Sequence, residues 1–119
     1  MLLVGTLSTP ARVIRVEVGD LAVKDEMALP DSCSMHSISA AALDSVCRYA
    51  LFGSWEDGRV ARMSLDNFSE LTVFQIPLNQ QHVYDLKVDP VSNYLFASTS
   101  QDSASTLSGI ALNSMTIIQ

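Results

Sequence analysis

The sequence has few basic residues and no run of them. Seven Lys and Arg residues stand against thirteen Asp and Glu residues, which gives a net charge of −6 at pH 7. A nucleic-acid surface needs clustered cations to neutralise phosphates, and an anionic membrane surface attracts the same clusters. We therefore expect neither nucleic acid nor a membrane among the partners of this chain.

Cysteine and long apolar runs are also scarce. The two cysteines, Cys33 and Cys47, cannot form a dense disulfide framework and lie in no Cys-x-x-Cys or Cys/His ligand spacing, so two free thiols are the favoured interpretation. No segment approaches the ~20 apolar residues that span a bilayer. The first ten residues lack the basic start of a signal peptide. Hydrophobic residues nevertheless make up 48% of the chain, which is enough for a core.

A repeat with an offset of 45 residues is the main feature that the sequence does have. The segment 83–99 repeats the pattern of 38–54, and residues 2–6 resemble 50–54. The matched pairs are Ile38/Val83, Leu43/Val88, Asp44/Asp89, Val46/Val91, Tyr49/Tyr94 and, after a one-residue slip, Phe52/Phe96 and Gly53/Ala97. A period of about 40 to 50 residues filled with short strands is typical of the blades of a β-propeller.

Each repeat divides into four short segments that we predict to be strands. The Asp at the end of each first segment suits a turn, because its side chain can accept a hydrogen bond from the backbone two residues on. Gly58 supplies the positive φ of a hairpin turn. The segment 37–47 is rich in alanine, which favours a helix. Its alignment with a copy that contains Pro90 predicts a strand instead.

The chain begins at a second segment and ends at a fourth. The fold class is therefore all-β, with about eleven strands, or about two and three-quarter four-stranded blades of an incomplete propeller. We treat 1–119 as a single partial propeller domain, with repeats at approximately 1–37, 38–82 and 83–119. Closed propellers typically have ~4 to 8 blades. We expect the chain to be part of a longer propeller, to form a homo-oligomeric ring, or to dock onto a protein that supplies further blades.

A family resemblance rests on two stretches. They are Val88-Asp89-Pro90 followed by Tyr94-Leu95-Phe96, and the segment YALFGSWEDGRVARMSLDNF at 49–68. The chain resembles the repeats of YncE-like and YVTN-type propellers, which are distantly related to WD40 repeats. The resemblance implies the fold. Its members include scaffolds, secreted surface proteins, lactonases and quinoprotein dehydrogenases, so it does not determine a function.

Several residues are candidates for a site. His36, His82 and Asp85 could face the central channel of a propeller, but they make an incomplete ligand set. Structural or solvated histidines are favoured, and we expect no metal and no cofactor. Trp55, Glu56 and Asp57 form an aromatic and acidic tip that could bind a protein partner, or Trp55 could pack against a neighbouring blade.

Two further patterns have simple structural interpretations. The recurring Asp44 and Asp89 could suggest a pair of catalytic carboxylates, but a residue that recurs at the same turn is better explained by capping. Four arginines alternate with apolar residues and suggest a solvated sheet face rather than an anion site; they are Arg12, Arg15, Arg59 and Arg62.

No catalytic residue is identified, and the leading hypothesis is a non-catalytic scaffold or protein–protein interaction module within a larger propeller or assembly. One alternative is a fragment of a propeller hydrolase or dehydrogenase whose catalytic residues lie outside this chain. Another is a carbohydrate-binding surface propeller, which would gain support from use of the glycosylation pattern at Asn67.

Overall fold

A computed structural model describes residues 2–8, 10–29, 35–56, 58–67, 70–76, 82–101, 104–112, 114 and 116–117. These residues form eleven strands in three antiparallel sheets. Sheet 1 contains β1 (Leu2–Gly5), β2 (Arg12–Val16) and β3 (Val23–Ala28). Sheet 2 contains β4 (Ile38–Asp44), β5 (Tyr49–Ser54), β6 (Arg59–Ser64) and β7 (Leu71–Gln75). Sheet 3 contains β8 (His82–Asp89), β9 (Tyr94–Gln101), β10 (Ala104–Ala111) and β11 (Thr116–Ile117).

The predicted all-β fold is confirmed, including the strand over the alanine-rich segment. β4 is a strand because its alternate residues are buried between neighbouring sheets, and this burial overrides the helical propensity of alanine. No helix in the described part of the chain is long and apolar enough to cross a membrane. Sheets 2 and 3 are each a simple antiparallel meander, in which every strand pairs with the next one along the chain.

Sheets 2 and 3 repeat one another in register as well as in strand order. Asp44 pairs with Tyr49 and Asp89 with Tyr94. Each first strand also has a β-bulge near its start, between Ile38 and Ala40 in β4 and at the matching residues of β8. A bulge inserts one extra residue and increases the local twist. The offset of 45 residues therefore holds through both strands without a slip.

The register corrects one detail of the sequence alignment. Ala41 pairs with Phe52, and Leu86 pairs with Ala97, so Phe52 corresponds to Ala97. By the same pairing, Gly53 corresponds to Ser98 and not to Ala97. The one-residue slip was wrong because it matched two phenylalanines whose side chains lie on opposite faces of their sheets.

The core consists of two layers, one on each side of sheet 2. One face of sheet 2, including Phe52 and Met63, packs with Val13 of sheet 1. The other face, including Leu51 and Val60, packs with sheet 3. β8 lies against β4 and β5, and β1 contacts β4, so β1, β4 and β8 lie along one edge of the molecule. We call this edge the inner edge.

Candidate interaction surface

Two glycines allow neighbouring sheets to approach closely. A Cβ atom added to Gly53 would lie 2.4 Å from Val83 Cγ1, and one added to Gly5 would lie 2.6 Å from Ile38 Cγ2. Gly53 pairs with Val60 as Gly5 pairs with Val13, so the two glycines occupy the same place in their sheets. Gly53 therefore lies where the next sheet approaches closely. Sheets 2 and 3 thus each insert a β-branched side chain against the backbone of the sheet before them.

The outer face of sheet 3, which points away from sheet 2, exposes large apolar side chains. Phe96 is 36% exposed and Leu107 is 64% exposed. The equivalent residues of sheet 2 are Leu51 and Val60, and both are fully buried between sheets 2 and 3. The outer face of sheet 3 therefore has the residue pattern of a sheet-to-sheet interface, and no described residue covers it.

The outer face of sheet 1 is apolar in the same way. Leu2 and Val4 pair with Val16 and Ile14, and the two β1 side chains are exposed. The polar border of this face is an ion pair between Arg12 and a glutamate of β3. Exposed apolar patches with polar borders are typical of surfaces that bind other proteins.

The predicted aromatic tip lies where sheets 2 and 3 meet. Trp55 is half-buried and stacks on His82, with ring centroids 4.4 Å apart, and it makes an edge contact with Tyr84 at 5.3 Å. His82 Nδ1 also hydrogen-bonds the Trp55 carbonyl oxygen. Glu56 is exposed, and Asp57 lies outside the described residues. Trp55 thus packs against the neighbouring sheet, and its role as an anchor for a partner stays a prediction.

Tyr84 was not identified from the sequence. It occupies the bulge of β8, so the simple alternation of faces does not place it. The repeat offers one signal: Tyr84 aligns with Ser39, whereas most of its neighbours in β8 align with apolar residues. Ser39 is the matching bulge residue of β4, and its hydroxyl donates a hydrogen bond to the Val83 carbonyl oxygen at 2.6 Å.

The candidate channel residues lie at different places. His36 is exposed and precedes β4, whereas His82 is held beneath Trp55. Asp85 pairs with Ser98, near the inner edge of sheet 3, and its carboxylate accepts a hydrogen bond from the Leu86 amide at 2.9 Å. Within the described part of the chain, no three His, Cys, Asp or Glu side chains form a group that could hold a metal. A shared channel for these residues stays a prediction.

Asp44 and Asp89 both cap turns, as the repeat predicted. Asp44 is buried and accepts a hydrogen bond from the Cys47 amide at 3.1 Å, and Asp89 accepts one from the Val91 amide at 3.1 Å. The Ser92 hydroxyl and the Val91 amide, in that order, hold the pKa of Asp89 below its ordinary value of 3.8, because both stabilise the charged carboxylate. Cys47 is an exposed free thiol, and Cys33 lies outside the described residues.

The prediction that the arginines form a solvated face was wrong for Arg62. Its Nη1 donates a hydrogen bond to the Leu112 carbonyl oxygen at 2.9 Å, and its guanidinium lies 4.5 Å from the centre of the Tyr49 ring. Arg62 therefore connects sheets 2 and 3 beside a cleft of about 310 Å³ that Asp44 also lines. Alternation along β6 could not show this contact, because Leu112 is distant in sequence. Arg15 also has a partner, because it forms an ion pair with Asp25.

Comparisons with known proteins show the fold. No family model matches the chain, and no curated protein matches it. Among solved structures, hydrazine synthase of Kuenenia stuttgartiensis aligns over 100% of this chain and 36% of its own, with a TM-score of 0.77 and 13% identity. The β-propeller domain of Cps50 (Swd1) from Myceliophteria thermophila aligns over 98% of this chain and 34% of its own, with a TM-score of 0.69 and 10% identity.

A third similar structure is a nidogen/laminin complex. It aligns over 97% of this chain and 42% of the matched chain, with a TM-score of 0.63 and 16% identity. The chain thus spans between about a third and two-fifths of the length of these three structures. At these identities the likeness concerns the fold alone. The three sheets are blades of an incomplete β-propeller, built from propeller-type repeats.

Proposed function

We propose that this chain is a non-catalytic interaction module, of the YncE-like or YVTN type, that works as part of a larger propeller or assembly. The observation that carries the proposal is the pair of exposed residues Phe96 and Leu107. Their equivalents in sheet 2 are Leu51 and Val60, which are fully buried between sheets 2 and 3. A further blade, from the same polypeptide or from another one, would bury them in the same way.

Burial of the outer face of sheet 3 against another sheet is expected to be energetically favourable. Burial of apolar surface contributes about 25 cal/mol per Å², and repeat proteins depend on interfaces between neighbouring units as well as on each unit. A three-sheet arc has two such interfaces and two uncovered ends. Association at either end therefore buries exposed apolar side chains against a further sheet. The Trp55–His82–Tyr84 cluster adds an aromatic rim where loops of sheets 2 and 3 could contact a partner.

The test is the mass of the chain in solution, measured by light scattering behind size exclusion. We expect a discrete dimer or trimer of the 12.9 kDa chain. Leu107→Glu should shift it to the monomer, because the new carboxylate would be buried without a partner. Val91→Glu is the matched control: Val91 is also exposed and apolar, but it lies in the turn after β8.

Other outcomes are equally informative. An aggregating wild-type chain that Leu107→Glu makes soluble would support completion by blades from another polypeptide. A stable, cooperatively unfolding monomer that binds no copy of itself would contradict the proposal. Equal effects of Leu107→Glu and Val91→Glu would show that the outer face of sheet 3 is not the contact surface.

A further inference from the structure

The polar cleft between sheets 2 and 3 lies at the end of the apolar layer that joins them. Its volume is about 310 Å³, and its lining includes Asp44, Arg62 and Leu112, of which Leu112 also belongs to that layer. Both walls come from sheets that have four described strands. The cleft therefore does not depend on what covers the outer faces of the arc. Two differences between the repeats leave its charged side chains with unused hydrogen-bonding groups.

The first difference leaves one oxygen of Asp44 without a donor. In sheet 3, the Val91 amide donates to Asp89 Oδ1 and the Ser92 hydroxyl donates to Oδ2. Cys47 holds the place of Ser92 in sheet 2, and its amide donates to Asp44 Oδ1. Among the described residues, nothing donates to Asp44 Oδ2, although Asp44 is only 2% exposed. A buried carboxylate oxygen without a donor is unfavourable, so a ligand that donates to it gains affinity.

The second difference leaves part of the Arg62 guanidinium unused. The equivalent residue of sheet 1 is Arg15, which lies opposite Asp25 and forms an ion pair with it. Arg62 lies instead opposite Thr72, which has no charge. Its Nη1 donates to the Leu112 carbonyl oxygen, and its Nε and Nη2 have no acceptor in the described part of the chain. A half-buried guanidinium with free N–H groups is suited to a carboxylate.

Tyr49 lies between the two charged residues. It pairs with Asp44 across β4 and β5, and the Arg62 guanidinium lies 4.5 Å from the centre of its ring. β4 and β6 are on either side of β5, so their backbones are ~10 Å apart, which is twice the strand spacing. No ion pair joins Asp44 to Arg62. The cleft thus presents an acceptor and a donor of opposite charge at separate places.

We propose that this cleft binds a small zwitterion of the α-amino acid class. The ammonium group donates to Asp44 Oδ2, and the carboxylate accepts from the free N–H groups of Arg62. A simple anion or a simple cation would leave one of the two side chains without a partner. The volume is at the lower end of the ~300–1,000 Å³ range of ligand pockets, which favours a small molecule. The adjoining apolar layer strengthens both charged hydrogen bonds relative to water.

The probes are L-alanine, propionate and ethylamine at neutral pH. Propionate is alanine without the amino group, and ethylamine is alanine without the carboxylate. Saturation-transfer NMR observes the signals of the small molecule and gives its dissociation constant for the monomer and for any assembly alike. L-alanine should bind saturably, and propionate and ethylamine should each bind at least ~10-fold more weakly, because each loses one charged hydrogen bond.

Two pairs of variants test the location. Asp44→Asn keeps an oxygen for the turn but removes the charge, and it should weaken L-alanine binding by ~10-fold or more. Its control is Asp89→Asn, which changes the same turn position of sheet 3 outside the cleft lining. Arg62→Gln should weaken binding to a similar extent, and its control is Arg59→Gln on the same strand. Near-ultraviolet circular dichroism checks that each variant is folded.

A third pair tests the argument from the repeats and leaves both charges in place. In Cys47→Ser, the new hydroxyl should donate to Asp44 Oδ2, as Ser92 donates to Asp89 in sheet 3. It would then compete with the ammonium group and weaken L-alanine binding by ~3-fold or more. Cys47→Ala removes the same thiol but provides no donor, so it should bind L-alanine as the wild-type chain does.

Three results would overturn this inference. They are the absence of saturable L-alanine binding to the folded chain, equal affinities for the three probes, and equal effects of Asp44→Asn and Asp89→Asn. Equal affinities of Cys47→Ser and Cys47→Ala would show that Asp44 Oδ2 does not hold the ammonium group. The larger-assembly proposal is independent of all of these results, because it is tested by Leu107→Glu on the outer face of sheet 3.

Discussion

The contact between Gly53 and Val83 makes a sharp prediction about stability. Gly53→Ala would place a Cβ 2.4 Å from Val83 Cγ1 and 2.9 Å from Val83 Cβ. Both distances are far below the ~3.5–4.0 Å at which carbon atoms attract each other. Val83 is fully buried and β-branched, so its side chain has few other rotamers to adopt. The sheets must therefore move apart for the methyl group to fit.

The expected cost is that of overpacking a core, ~1–3 kcal/mol of the free energy of unfolding. The larger part should come from strain, with a further loss where sheets 2 and 3 separate and Leu51 and Leu86 lose contacts in the shared core. Since small domains have a free energy of unfolding of only ~5–15 kcal/mol, this change should be obvious in a urea titration followed by circular dichroism.

Two controls isolate the cause. Gly19→Ala adds the same methyl group where no atom lies within 4 Å, so it should be neutral or slightly stabilising. In the double variant Gly53→Ala/Val83→Ala the closest clash is removed. Its destabilisation should therefore be smaller than the sum of the destabilisations of the two single variants, by ~1 kcal/mol or more. If Gly53→Ala unfolds at the same urea concentration as Gly19→Ala, the close approach of the sheets is refuted.

Two further predictions concern the equivalent turns after β4 and β8. Arg48 and Asn93 hold the same turn position with φ of 62° and 60°, and asparagine tolerates this conformation better than arginine. Arg48→Asn also removes the ion pair with Asp66, but both of those side chains are exposed and such pairs contribute little. The relief of the backbone should therefore dominate and raise the free energy of unfolding, by up to ~1 kcal/mol, which a higher urea midpoint would show; an unchanged or lower midpoint would contradict it. Asp89 has a lowered pKa in the folded chain because the Ser92 hydroxyl and then the Val91 amide donate to it. Its contribution to stability is fully present above pH 3.8 and is lost as the pH falls through the folded pKa. Asp89→Asn should flatten the dependence of the urea midpoint on pH below about 4, and an identical slope in both proteins would refute the turn-capping role.

Local chemistry and the repeat were enough to predict most strands from the sequence. The turn at Asp89 has its side-chain bond to the amide two residues on, as expected, and Gly58 has a positive φ of 62°. These features depend on residues that are close in the chain. The strand in the alanine-rich segment needed the comparison between repeats, because propensity alone favours the wrong structure there.

Contacts between sheets were less accessible from the sequence. Arg62 alternates with apolar neighbours and looks solvated, but its partner is the Leu112 carbonyl of the next sheet. For Trp55 the sequence left open an interaction tip or packing against a neighbouring blade, and it did not identify Tyr84 as a contact, because that contact depends on a bulge that breaks the alternation of faces. Both cases depend on the arrangement of two sheets, which local pattern does not specify. The exposure of Leu107 could have been inferred once the register was known.

The glycine contacts also make the two faces of each interface between sheets different from one another. In both described interfaces, the later sheet supplies a β-branched side chain and the earlier sheet supplies the glycine, as with Val83 and Gly53. A contact of this kind is heterologous, because its two sides are different surfaces. Two copies that met through a single interface lying on a twofold axis would present the same side to each other and could not reproduce it. Copies that associate through this type of contact must therefore join head to tail, and they form either a closed ring or an open array that continues to grow.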